Sequence, residues 1–152
     1  MANFWDREDM IPRSTELILW SLKQMLGLAD ALDALYQLNL RHGDLNSNNI
    51  LYFSEGRIGN LVIADLGSSH RHMHAPGLRK IGITINPTTQ PYNALEILER
   101  YKPRSRKYDM WSLGCIFLDF AVWLLSDFKA INDFHDAIRG ALSAGELYIV
   151  TA

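Results

Sequence analysis

A nearly continuous apolar run occupies residues 114–125, where GCIFLDFAVWLL is interrupted by one acidic residue, Asp119. Residues 109–125 predict a helix that is apolar around its whole circumference, and such a helix must lie at the centre of a core. The run is shorter than a bilayer-spanning helix requires and carries a charge in its middle, so it does not indicate a membrane protein. The rest of the chain is therefore expected to pack around this helix.

Two further helices are predicted. Residues 14–38 form an amphipathic pattern that Ser14 or Thr15 can cap at its N-terminus. Residues 130–142 predict a shorter helix at the surface. The apolar stripe of the first helix is expected to comprise Ile18, Leu22, Met25, Ala29, Leu32 and Tyr36.

Two short apolar runs, at residues 50–53 and 61–64, are separated by the turn-forming residues 54–60. This pattern predicts a β-hairpin with a longer loop. Residues 65–107 contain four of the five prolines and show no sustained period, so we expect a long and mostly irregular segment there. The predicted fold class is mainly α with a short β-hairpin.

The composition limits the classes of protein that fit. The chain has 152 residues, of which 48% are hydrophobic, and this suits one domain with a sizeable core. A net charge of -2 gives no basic excess for general nucleic-acid binding. The single cysteine, Cys115, excludes an internal disulfide, and the acidic N-terminus is unlike a signal peptide. An intracellular location is therefore expected.

Polar side chains that can act together flank the predicted hairpin. Asp44 precedes Asn49 by five residues just before the first strand, and Asp65 follows the second strand. The hairpin can return Asp65 to the neighbourhood of Asn49. Carboxylate and amide oxygens are the ligands that Mg²⁺ prefers. This arrangement suits Mg²⁺-dependent phosphoryl transfer, in which positioning and charge neutralisation do most of the work.

Four ordered motifs resemble the protein kinase family. HGDLNSNNIL at residues 42–51 resembles its catalytic loop, and ADLG at 64–67 resembles its magnesium motif. TQPYNALE at residues 89–96 resembles the end of the activation segment, and DMWSLG at 109–114 the start of the central helix. The chain looks most like a group of filamentous-fungal kinases of the Ser/Thr type. The resemblance implies the helical C-terminal lobe of a kinase, here called the lower lobe.

The resemblance also implies roles for individual residues. Asp44 and Asn49 would be catalytic, with Asp44 as the base that orients the substrate hydroxyl. Asn49 and Asp65 would bind Mg²⁺, and ATP and Mg²⁺ are the implied cofactors. Asp109 would hold the backbone of the catalytic loop from below. The residues expected to contact the cofactor are Asn46, Leu51, Asp65 and Gly67.

Two departures from the family pattern lie in the catalytic loop. Gly43 replaces an Arg that normally pairs with a phosphorylated activation loop, so such phosphorylation should matter less here. Asn46 stands where Ser/Thr kinases place a Lys that contacts the transferred phosphate. Loss of one transition-state contact costs about 10²–10³ in rate, so impaired turnover is expected.

A third departure concerns the extent of the chain. No G-x-G-x-x-G motif occurs, and neither the Val-Ala-x-Lys strand nor its partner helix is found. Residues 1–152 therefore read as a partial kinase domain that lacks the upper lobe, the lobe that covers the ATP phosphates. The expected partners are a protein substrate, ATP and either the missing lobe or another protein. Nucleic acid and membrane are not expected.

Two alternatives remain at this point. The lower lobe could act as a catalytically inactive binding module. The loop at residues 42–51 also resembles small-molecule phosphotransferases of the aminoglycoside and choline kinase type. Residues 94–96 and 109–114 argue against this second alternative, because those enzymes do not share these motifs.

Overall fold

A computed structural model describes residues 4–5, 13–54, 59–66, 70–71, 91–94 and 106–144. Each helix and strand predicted within these ranges is present, and the prediction of a mainly α fold with a short hairpin is confirmed. The described elements are α1 (Thr15–Gln37), β1 (Leu40–Arg41), a 3-10 turn (Ser47–Asn49), β2 (Ile50–Phe53), β3 (Asn60–Ile63), β4 (His70–Arg71), α2 (Arg106–Leu125) and α3 (Phe128–Ala144).

Two antiparallel strand pairs lie beside the helices. In the predicted hairpin, Ile50 of β2 is opposite Ile63 of β3. The second pair joins β1 to β4, with Leu40 opposite Arg71. β4 falls inside the segment predicted to be mostly irregular, and most of that segment lies outside the described residues. A strand of two residues is too short to show a periodic pattern in the sequence.

Helix α1 begins where the sequence indicates, but its buried face differs from the predicted stripe. Ser14 is the N-cap, and its hydroxyl accepts the backbone N–H of Leu17. Ile18 and Leu22 were expected in the core, yet they are 41% and 53% exposed. The large side chain of Trp20 is buried instead, and its ring packs 5.1 Å from that of Phe4. The fully or nearly fully buried residues of α1 are Leu17, Trp20, Ser21, Leu28 and Leu32.

Helix α2 packs against α1 and α3 on one face, and the prediction that it is enclosed on all sides is wrong. Its other face exposes Met110, Trp111, Leu118 and Leu125, which are 46% to 87% accessible to solvent. At 20 residues the helix is longer than the apolar run suggested, and its length and hydropathy would allow it to cross a membrane. The core helix of a soluble protein passes the same test, and Asp119 is buried in the face of α2 that packs in the core.

Aromatic side chains connect the helices to the hairpin. The ring of Phe4 lies 4.7 Å from that of Tyr52 on β2 and 5.5 Å from that of Trp123 on α2. Trp5 meets Phe120 edge-on at 5.7 Å. Edge-to-face and tilted contacts of this kind stabilise a core beyond the area that they bury. Phe4 thereby joins the hairpin to α2.

Candidate active site

The loop before β2 is held from below by a buried carboxylate of α2. Asp109 is completely buried, and its two oxygens accept the backbone N–H groups of His42 and Gly43, each at 2.8 Å. Burial raises the pKa of Asp109, although these two hydrogen bonds act in the opposite direction. The role that the resemblance implied for Asp109 is confirmed. Gly43 has a φ of 83°, in the left-handed region that favours glycine.

The imidazole of His42 connects this loop to the end of β3. Its Nδ1 accepts the backbone N–H of Asp44 at 3.3 Å. The ring proton therefore lies on Nε2, which donates to the carbonyl of Ala64 at 2.9 Å. His42 is completely buried, so both contacts are shielded from water.

Two amide side chains fix the backbone at Asp44. The Nδ2 of Asn49 donates to the carbonyl of Asp44 at 2.7 Å and lies 3.4 Å from its carboxylate. The Nδ2 of Asn46 donates to the same carbonyl at 2.9 Å. Because the amide nitrogen of Asn49 is used in this way, its side-chain oxygen is the atom that can serve as a ligand.

The hairpin returns the third predicted residue to this loop. The backbone N–H of Ala64 donates to the carbonyl of Asn49 at 2.8 Å, and Asp65 follows directly. Asp65 has a φ of 60°, a left-handed conformation that is unusual for a residue other than glycine and often occurs at functional sites. The structure thus brings Asp44, Asn49 and Asp65 to one edge of the hairpin.

The donor set fits Mg²⁺. Two carboxylates and an amide oxygen are hard ligands, and one or two carboxylates together with substrate phosphates and water are the usual surroundings of this ion. Within the described part of the chain no group of three or more His, Cys, Asp or Glu side chains could hold a metal. The fit therefore depends on the Asp65 carboxylate and the amide oxygen of Asn49, the two ligands that the resemblance implied.

The remaining predicted site residues differ in their surroundings. Asn46 is buried, and its Oδ1 accepts the backbone N–H of Asn48 at 3.0 Å, so both ends of its amide are used inside the loop. This geometry favours a role in shaping the loop over a contact to a cofactor.

Leu51 is 45% exposed on the outer face of the hairpin, opposite the similarly exposed Val62. Gly67 lies outside the described residues.

One set of buried polar residues was missed by the sequence analysis. Tyr92 hydrogen bonds to Asp119, and Asp119 also accepts a hydrogen bond from His135 of α3. The only signal for it in the sequence was the acidic residue inside the apolar run at 114–125. Because the three residues are far apart in the chain, no spacing rule brings them together.

The described helices and hairpin form the mainly helical arrangement that the resemblance implied. The chain matches the protein kinase domain family over residues 9–135, which is most of its length, and it belongs to this family.

Three curated relatives illustrate the similarity. Cyclin-dependent kinase 11.2 of Caenorhabditis elegans is 32% identical over 97 residues, which are 63% of this chain and 14% of the relative. The sporulation-specific mitogen-activated protein kinase SMK1 of Saccharomyces cerevisiae is 31% identical over 123 residues, 76% of this chain and 30% of the relative. Human serine/threonine-protein kinase H2 is 32% identical over 109 residues, 70% of this chain and 26% of the relative. The chain thus spans about a third or less of the length of these relatives.

Proposed function

We propose that this chain is the catalytic lower lobe of a Ser/Thr protein kinase, which transfers the γ-phosphoryl group of ATP to protein hydroxyls. The observation that carries the proposal is the loop geometry. Asp109 holds the backbone at His42 and Gly43, and the amide of Asn49 holds the backbone at Asp44. The carboxylate of Asp44 is thereby presented from a rigid loop, as a base that orients a reacting hydroxyl must be.

Asp44 would accept or orient the proton of the substrate hydroxyl. It is partly buried, and Asn49 lies close enough to limit the movement of its carboxylate. A base positioned in this way contributes about 10²–10⁴ in rate.

Asn49 and Asp65 would hold Mg²⁺, which neutralises the charge of the ATP phosphates when it is bound. The hydrogen bond from Ala64 to Asn49 keeps these two residues on neighbouring backbone segments. The chemistry of their oxygens supports the assignment.

We also propose that residues 1–152 form one part of a kinase domain, with the upper lobe supplied by another segment or by a partner protein. The outer face of the hairpin supports this, because Leu51, Phe53 and Val62 are each about half exposed. A cluster of apolar side chains in this position indicates a missing covering element. The chain alone is therefore expected to bind ATP weakly and to turn over slowly.

An assay with γ-labelled ATP, Mg²⁺ and a library of Ser, Thr and Tyr peptides tests the function. We expect slow transfer to Ser and Thr peptides by the 152-residue chain and a loss of at least about 100-fold in Asp44→Asn. Asp133→Asn is the matched control, because Asp133 is exposed and pairs only locally with Lys129.

Broadening by Mn²⁺ of the side-chain amide signals of Asn49 measures the metal site independently. We expect broadening in the native chain and its loss in Asp65→Ala. Absence of both broadening and Asp44-dependent transfer would overturn the proposal. Fast turnover by the isolated chain would overturn only the proposed need for an upper lobe.

A further inference from the structure

The hydroxyl of Tyr92 lies between helix α2 and the loop of residues 42–49, here called the site loop. It donates to Oδ2 of Asp119 at 2.6 Å, and the side chain of Ser47 lies beside it. Ser47 is the first residue of the 3-10 turn that ends at Asn49. Tyr92 therefore adjoins the turn that carries a proposed metal ligand.

Asp119 uses both of its carboxylate oxygens in this network. Its Oδ1 accepts a hydrogen bond from Nε2 of His135 at 2.8 Å, and only 1% of its surface is exposed. The rings of His135 and Tyr92 also meet edge-on at 5.5 Å. A buried carboxylate is costly unless its oxygens are paired, so each partner limits where the other can lie.

Residues 91–94 are attached to α2 by further hydrogen bonds. The hydroxyl of Ser112 donates to the carbonyl of Tyr92 at 2.9 Å, and the hydroxyl of Tyr108 donates to Oδ1 of Asn93 at 2.6 Å. Burial raises the pKa of the Tyr92 phenol, and the charge of Asp119 raises it further. The phenol therefore remains a donor across the physiological pH range.

We propose that His135 is a positioning residue for the site loop and acts through Asp119, Tyr92 and Ser47. This inference deepens the proposed function and rests on it. The side chain of His135 is 13% exposed and belongs to α3, the helix farthest along the described chain from Asp44. Removal of its N–H leaves Oδ1 of Asp119 unpaired in the core. Either Tyr92 must then shift, or a water molecule must enter to donate to that oxygen. Either change alters the contact of Tyr92 with the turn at Ser47.

Nuclear magnetic resonance of the full chain tests the path. In His135→Ala we expect shifts in the signals of Ser47, Tyr92 and the side-chain amide of Asn49, and hydrogen exchange of that amide roughly tenfold faster. In His135→Gln the side-chain amide can again donate to Asp119, and we expect most of these changes to be reversed.

Two control variants separate positioning from general destabilisation. Asp136→Asn alters the next residue on α3, an exposed partner of Arg139, and should leave the site signals in place. Ile131→Val weakens the buried contact of α3 with the core and lowers overall stability without touching the network. If Ile131→Val reproduces the changes at Asn49, or if His135→Ala causes none, the proposal is overturned.

The peptide assay shows whether the path matters for catalysis. We expect His135→Ala to lower kcat at least threefold with little change in KM for ATP, and His135→Gln to restore it. An unchanged kcat in His135→Ala would overturn the positioning role. Failure of the proposed function is distinguishable, because the native chain would then show neither Asp44-dependent transfer nor Mn²⁺ broadening.

Discussion

Tyr36 and Arg106, which lie 70 residues apart in sequence, hold the end of α1 against the start of α2 by reciprocal hydrogen bonds. The phenol of Tyr36 donates to the carbonyl of Arg106 at 2.7 Å, and the guanidinium of Arg106 donates to the carbonyl of Tyr36 at 2.9 Å. The guanidinium also lies 5.1 Å from the centre of the tyrosine ring. This contact fixes the angle at which α2 brings Asp109 beneath the site loop.

Removal of the phenol tests this contact. We expect Tyr36→Phe to lower the free energy of unfolding by about 1 kcal/mol, because one partly buried hydrogen bond is lost. Burial raises the pKa of Tyr36, so the phenol keeps its proton under ordinary conditions. Urea unfolding gives the measurement, with Gln37→Ala as a control, because Gln37 is bonded only to the exposed Asp33. Equal losses in the two variants would contradict the expectation.

Substitution of Asp109 should loosen the site loop. In Asp109→Asn one carboxylate oxygen becomes an NH₂ group, which faces a backbone N–H and cannot accept its hydrogen bond. We therefore expect the free energy of unfolding to fall by about 1–3 kcal/mol. The amide signals of His42 and Gly43 should lose their protection from hydrogen exchange before those of α1. Asp30→Asn, at an exposed position of α1, provides the control. Retained protection at His42 in Asp109→Asn would show that the carboxylate does not hold the loop.

The same substitution at two glycines should have opposite effects. A Cβ at Gly59 would lie 1.8 Å from the carbonyl oxygen of Phe53, so Gly59→Ala must displace the hairpin. We expect the free energy of unfolding to fall by about 2 kcal/mol or more. Gly27 lies in α1, and a Cβ added there has nothing within 4 Å. Because alanine favours the helix, Gly27→Ala should raise the free energy of unfolding by as much as about 1 kcal/mol. The midpoint temperatures of thermal unfolding of the two variants measure the difference, and a shift of both midpoints in the same direction would contradict the expectation.

Cys115 should react slowly in the folded chain. Burial, followed by the charge of Asp119, raises the pKa of its thiol from 9.0 to about 11. At pH 8 this lowers the thiolate fraction, and so the rate of thiol–disulfide exchange, by about 100-fold relative to the unfolded chain. The unfolded thiol ionises first, so this group also makes unfolding more favourable as the pH rises from 9.0 to about 11. Reaction with a disulfide reagent in buffer and in denaturing urea measures the ratio, and equal rates would contradict the expectation.

Local patterns in the sequence predicted the elements well. The N-cap and extent of α1 and both strands of the hairpin were placed to within about a residue, because capping and alternation are properties of neighbouring residues. The grouping of Asp44, Asn49 and Asp65 followed from the hairpin, which forces the chain back on itself. Residue spacing was therefore enough to predict that Asn49 and the residue after β3 lie on neighbouring backbone segments.

Other features depended on contacts between distant segments. The sequence allowed two faces of α1 to be buried, and the packing of Trp20 against Phe4 and the carbonyl of Gly59 decided between them. The pairing of β1 with β4 required two segments 30 residues apart to meet. In the same way, Asp119 became the centre of a hydrogen-bond network because Tyr92 and His135, which are distant in sequence, were both brought to it.

The sequence by itself determined the helices, the hairpin and the protein kinase family, since each depends on residue types at short spacings. The tertiary structure decided which helix faces are buried and how Asn46 is used. It also decided that His135 of α3 is joined to Asp119 of α2. Burial of a carboxylate between two donors that are distant in sequence is a property of packing. The free-energy cost of burying the carboxylate is offset only when all three groups are in place.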